Sequence, residues 1–201
     1  MSKTLIYLIG FLGSGKLTTA KELCKIIDAV IVSNNLFNNS ILRVVKLPNA
    51  KVPDDLWEKI FVVRENMLAI LEKHHIRSQH YIFTNELIDG DPYDQRLYSS
   101  IVNLGKKMGV KIFPVVLHCN SEELAKRVCS EERHKENKIT DSDFAIQKIK
   151  GKRLFVPEGS LEIDNSSLSA KEVAERIVKK MKNGERLVET SVNNLAKRIR
   201  G

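Results

Sequence analysis

A chain of 201 residues with 42% apolar and 29% charged side chains has the composition of one globular domain with a sizeable core. No apolar run approaches the ~20 residues of a membrane-spanning helix, and three cysteines without C-x-x-C spacing argue against a disulfide framework or a zinc site. The formal charge of +8 suits a phosphate-rich partner, nucleotide or polynucleotide, and suits plain solubility equally well.

The first apolar run, Leu5-Ile6-Tyr7-Leu8-Ile9, reads as a core strand and is too short for a signal peptide. Together with Cys24, Cys119 and Cys129 read as reduced, mostly buried thiols, it points to a cytoplasmic protein with no membrane partner. The strand runs into Gly10-Phe11-Leu12-Gly13-Ser14-Gly15-Lys16-Leu17-Thr18, and a helix is expected over 18–27. A short buried strand follows at 29–33, then a helix at 36–45 and a Pro-containing connection over 46–53. Asp54 is placed to cap a long helix ending near His74, with Leu56, Trp57, Ile60, Val63, Met67 and Ile70 recurring at three- and four-residue steps. The third strand is 81–84, and an acid-rich loop with Glu86, Asp89 and Asp91 comes next. A helix over 93–108 stops at Gly109. The fourth strand, 111–118, contains Pro114, which is awkward in a strand interior. Ser121 opens a helix, 131–138 is charged without apolar period, and Thr140 or Asp141 opens another short helix. The last strand, 159–163, leads to a helix over 169–181.

Alternating strands and helices imply an α/β three-layer sandwich with parallel strands and right-handed crossovers. A ligand then binds beyond the carboxyl ends of the strands, where the Gly-rich stretch lies. That stretch meets the full G-x-x-x-x-G-K spacing between a strand and a helix, the layout of a phosphate-binding loop. Its glycines let backbone N–H groups approach an anion, and the helix start adds unpaired N–H groups and positive dipole. Lys16 is placed to reach the terminal phosphates, with Gly10 through Thr18 as the binding stretch. Leu17 departs from the pattern. A Ser or Thr hydroxyl normally follows the Lys and binds magnesium, and Leu has no lone pair to give. Leu17 instead extends an apolar ladder with Ala20, Cys24 and Ile27, while the Thr18 hydroxyl lies about 100° round the helix, toward the nearer phosphates.

On these residues the chain resembles the small P-loop kinases (shikimate, gluconate, adenylate, chloramphenicol and polynucleotide kinases) over roughly 3–182. The loop carries the resemblance. Leu124-Ala125-Lys126-Arg127 with Arg133, and Leu161-Glu162-Ile163-Asp164-Asn165 with Ser169, match by arrangement. The resemblance implies a P-loop NTPase fold with a five-stranded parallel sheet in order 2-3-1-4-5. It also implies a kinase-like domain over 1–182 with a mobile lid at about 130–140. The activity implied is transfer of the terminal phosphoryl of ATP, with Mg2+, to a hydroxyl of a small molecule or nucleotide. Lys16, Arg133 and Asn34 are the implied catalytic positions, and Arg127 joins the loop in holding the nucleotide.

Asn34 is itself a departure, because the family usually ends its second strand in an Asp that serves as base and metal partner. Asn can only hydrogen-bond. With Leu17 and Asn34 both altered, no direct protein ligand for the metal is assigned. Glu86, Asp89 and Asp91 are the alternative carboxylates. Two other readings stand beside the kinase: a nucleotide-binding module with reduced or lost catalysis, and a kinase acting on nucleic-acid ends. The second draws on the net charge and on residues 183–201, where Val188, Val192, Leu195 and Ile199 form one stripe and Lys197, Arg198 and Arg200 make the end basic.

Overall fold

Thr4–Gly10 forms β1 and is buried along its whole length because it has a strand on each side and a helical layer on each face. The computed structural model describes residues 3–45, 52–76, 78–129 and 141–183. In chain order, β1 is followed by α1 (Lys16–Cys24), β2 (Ala29–Ser33), α2 (Asn34–Leu42), α3 (Asp54–His74) and β3 (His80–Asn85). Then come α4 (Pro92–Met108), β4 (Lys111–His118), α5 (Ser121–Val128), α6 (Ser142–Ile149), β5 (Leu161–Asp164) and α7 (170–183). Every pairing is parallel, in the order β2-β3-β1-β4-β5, as expected.

The period of two along β1 divides the core. Ile6 and Leu8 pack with Ala20 and Leu23 of α1 and with Val173, Ala174 and Ile177 of α7. Leu5, Tyr7 and Ile9 pack on the other face with Leu68 of α3 and Leu97, Ile101 and Leu104 of α4. Two covered faces explain why the strand is continuously apolar instead of alternating. Pro114 pairs with Tyr7 of β1, while β5 joins β4 only from Val115 onward. At Pro114 the strand therefore has no neighbour on its outer side, and a residue without an N–H is accommodated there.

Several elements differ from the periodicity reading. The buried face of α3 is Ile60, Arg64 and Leu68, whereas Met67 and Ile70 are exposed. The helix packs along one side only, so its remaining apolar residues face outward. α2 begins at Asn34, directly after β2, with extended Ser33 in the capping position and no turn between them. α1 begins at Lys16, and its buried face is Thr19, Ala20 and Leu23. Of the thiols expected to be mostly buried, Cys24 and Cys119 are half-buried and Cys129 is exposed at the end of α5. No helix among the described residues is long and apolar enough to cross a membrane. Arg133, the expected lid at 130–140 and the basic stripe of the tail lie outside the described residues.

Candidate active site

β1 ends at Gly10 and α1 begins at Lys16, and two left-handed glycines make the turn between them: Gly13 at φ 85° and Gly15 at φ 82°. A side chain at Gly13 has no room, since a Cβ there would lie 2.8 Å from Val128 Cγ2 and 3.0 Å from Leu124 Cδ2. The loop is thereby pressed against α5. Across it lies the ammonium of Lys16, which donates to the carbonyls of Gly10 at 2.6 Å and Phe11 at 2.8 Å. The first turn of α1 contains no acidic residue, so nothing on the helix itself offsets its positive end.

The loop's other flank is tied to β5 and α5. Asn165, buried just after β5, donates from Nδ2 to the carbonyl of Ser14 at 2.8 Å. Arg127 of α5 donates from Nη2 to the carbonyl of Asn165 at 2.8 Å and from Nε to Glu123 at 2.9 Å. Its Nη1 lies 3.7 Å from where a Cβ on Gly15 would be. Arg127 thus stands beside the last loop residue. Leu17 is half-buried and packs in none of the core clusters of the described residues, so the apolar ladder expected of it starts at Ala20. Thr18 is exposed.

The carboxyl ends of β2 and β3 form a second group. Asn34 donates its backbone N–H to Thr84 Oγ1 at 3.4 Å, and its Oδ1 accepts from Asn85 Nδ2 at 3.1 Å and from Arg64 Nη2. Asn34 Oδ1 therefore has two donors already. Of the three candidate carboxylates, Asp91 caps α4, accepting from the N–H groups of Tyr93 and Asp94. Asp89 is exposed, and its N–H donates to the Arg153 carbonyl. Glu86 is the one that meets the loop: its Oε2 accepts from the N–H of Leu12 at 3.0 Å. A chain of contacts thus runs from Arg64 through Asn34 and Asn85 to neighbouring Glu86 and the loop between β1 and α1.

Arg64 was not singled out by sequence reasoning, although it interrupts the i, i+4, i+8 series of Ile60 and Leu68 with a charge. That interruption was the available signal. The side chain is 1% exposed, and its guanidinium lies 4.2 Å over the Phe37 ring. Burial lowers its pKa from the usual arginine range and pushes the buried hydroxyl of Tyr7 up.

The residues do not by themselves build a metal centre. Leu17 has no oxygen to offer, and among the described residues no three His, Cys, Asp or Glu side chains converge.

No family model and no curated protein matches the sequence. Solved structures do match the fold. A sugar kinase from Janibacter superposes with a TM-score of 0.62 at 12% identity, covering 90% of this chain and 95% of that one. A gluconokinase from Sinorhizobium meliloti gives 0.56 at 16% identity, covering 94% and 97%. The APS kinase of Mycobacterium tuberculosis, in complex with AMPPNP and APS, gives 0.52 at 14% identity, covering 90% and 98%.

The fold is that of the small P-loop kinases. In this P-loop kinase fold, the loop closes the central strand and Asn34, Asn85 and Glu86 sit at the ends of the two strands beyond it, all at one edge of the sheet.

Proposed function

We propose that this protein binds ATP and transfers its terminal phosphoryl group to a hydroxyl of a small molecule or nucleotide. The observation that carries this reading is the loop from Gly10 to Lys16, with its lysine laid across the turn and the helix start open to an anion. The likeness to sugar, gluconate and APS kinases supports it at the level of the fold. On binding, phosphate oxygens replace the carbonyls as partners of Lys16, and Arg127 steadies the nucleotide beside Gly15.

In the transfer, the acceptor oxygen forms a bond to the γ-phosphorus as the bond to the bridging oxygen breaks and ADP leaves. Glu86 takes the hydroxyl proton, because it is the carboxylate in contact with the loop and Asn34 cannot accept one. Magnesium supplies charge neutralisation in reactions of this kind. Here it would arrive with the nucleotide and not in a preformed protein cage.

The test is formation of ADP and labelled product from γ-labelled ATP over a panel of hydroxyl acceptors, with a no-acceptor control. Acceptor-dependent transfer in the wild type, absent in Lys16→Ala, supports the reading. ATP binding without transfer to any acceptor favours a binding module, a reading supported by Leu17 and by the two donors already held at Asn34 Oδ1.

A further inference from the structure

β2 is the outermost strand, with β3 on one side and no strand on the other among the described residues. Val32 packs in the cluster beneath α3, and the period of two turns exposed Val30 to the same face. The flank of α3 toward this edge is apolar. The ion pairs of Glu58 with Arg96 and of Glu72 with Lys107 mark the flank that meets α4. Val63, Met67 and Ile70, at steps of four and three, lie on the other flank. Met67 and Ile70 are exposed, Ile70 at 61%. Just past the helix, Ile76 is 54% exposed. Its N–H donates to the hydroxyl of Tyr81, the register partner of Val30. Met67, Ile70, Ile76 and Val30 therefore form a band along the outer edge of the sheet.

An exposed apolar band marks an interaction surface, and an open strand edge beside it invites a cover. The chain carries a segment fitted to the task. α7 returns from the carboxyl end of β5 and reaches Asn183 at the edge where the strands begin. There Asn183 lines a groove of about 400 Å³ together with Ile26, an exposed residue between α1 and β2. Asp28, two residues on, ties this corner to the end of the band. Its carbonyl accepts from the N–H of His80 at 2.9 Å and its Oδ1 from Gln79 Nε2 at 3.1 Å. The described residues thus stop at one end of the band, and Gly184 follows at once. Beyond it, Val188, Val192, Leu195 and Ile199 recur at helical steps. A helix over 186–200 would be ~22 Å long, enough to cover the band and shorter than the ~31 Å of the 21-residue α3.

We propose that residues 186–200 form an amphipathic helix that docks by this stripe on Met67, Ile70, Ile76 and Val30 and closes the β2 edge. Charge supports the place and the direction. Running from the end of α3 toward its start, the segment carries Lys197, Arg198 and Arg200 toward Asp54 and Asp55, the exposed acids of the first turn of α3. The groove beside α7 is the other surface within reach. It presents Lys179 and Lys182 against Glu175, a balance that disfavours a basic segment. No residue of the phosphate loop takes part, so the docking stands or falls apart from the proposed activity.

The test is hydrogen–deuterium exchange of the full chain, read by mass spectrometry without nucleotide. Amides over 187–199 should exchange about 10- to 100-fold more slowly than in a synthetic peptide of residues 184–201. Ile70→Asp should return them to the peptide rate. Val156→Asp, an exposed position before β5 at the opposite edge of the sheet, should leave the protection in place. Leu195→Asp should quicken exchange over 67–76, because the band loses its cover.

Exchange of 187–199 at the peptide rate in wild type, or protection that survives Ile70→Asp, overturns the docking. If Ile70→Asp does not fold by circular dichroism, Leu195→Asp decides alone, and unchanged exchange over 67–76 overturns it. Sedimentation velocity across a range of concentrations excludes the other occupant. The wild type should show no dimer that depends on Ile70. A dimer that Ile70→Asp dissociates would assign the band to a second copy of the chain and overturn the proposal.

Discussion

Two cations flank the candidate site, and they are housed in opposite ways. Lys16 is half-buried at a helix start and donates to main-chain carbonyls of its own loop. Arg64 is enclosed in the long helix α3, with one neutral side-chain acceptor and an aromatic face. The first arrangement is cheap, since carbonyl dipoles solvate the ammonium. The second carries a desolvation cost that the folded chain does not recover by itself. The difference teaches that a cation at a loop is solvated by the backbone around it, whereas one sunk in a core depends on the few side chains packed against it.

The largest effect expected from breaking this arrangement is at Glu86, between the two cations. Glu86→Gln keeps the shape and an acceptor oxygen for the Leu12 N–H but cannot take a proton. Turnover should fall by about 10²–10⁴-fold with ATP affinity little changed. Steady-state rates together with calorimetric ATP titration check this, and unchanged turnover would assign the base elsewhere. Lys16→Ala comes next and acts on the loop side alone. ATP affinity should drop about 10- to 100-fold, the worth of a charge-assisted hydrogen bond, with the circular dichroism spectrum of the wild type retained. Equal affinity would remove the loop from the nucleotide site.

Gly13→Ala tests how firmly the loop side is supported. The added Cβ meets Val128 and Leu124 at a backbone angle unsuited to alanine, so urea unfolding should show a loss of about 1–3 kcal/mol. Adding Val128→Ala should not restore all of it, because the backbone strain remains. Asp91→Ala separates a structural carboxylate from Glu86. It should cost about 1 kcal/mol of stability through the lost α4 cap and leave turnover in place.

The smallest effect concerns Leu17. Since it is half-buried, Leu17→Thr should cost about 0.5–1.5 kcal/mol, less than full burial would imply. The restored hydroxyl should strengthen the magnesium dependence of ATP binding. A lower melting temperature with no gain in that dependence would mean that Leu17 serves packing only.

The contrast between the two cations also marks what could be read in the sequence. The loop was legible because its chemistry is local: glycines, lysine and helix start lie within one stretch, and flanking periodicity places the strand and helix. The strand order came with the resemblance that the loop anchors. Arg64 was not legible, because the apolar pattern of α3 selects Val63, Met67 and Ile70 as readily as Ile60 and Leu68. Which side is buried depends on how α3 lies against α2 and α4. The division of labour among Glu86, Asp89 and Asp91 was hidden for a similar reason. Three acids in six residues look alike until one is seen to cap a helix and another to reach a loop more than 70 positions away.

The contact between Gly13 and α5 has a practical use. Burial pushes the thiols of Cys24 and Cys119 up, which keeps them protonated and slow toward alkylating reagents. Cys129 is exposed and follows Val128, the residue against which Gly13 rests. A maleimide dye should therefore attach first at Cys129. Its emission would then report loading of the phosphate loop through one side chain, a built-in optical handle for ligand screening that requires no engineered cysteine.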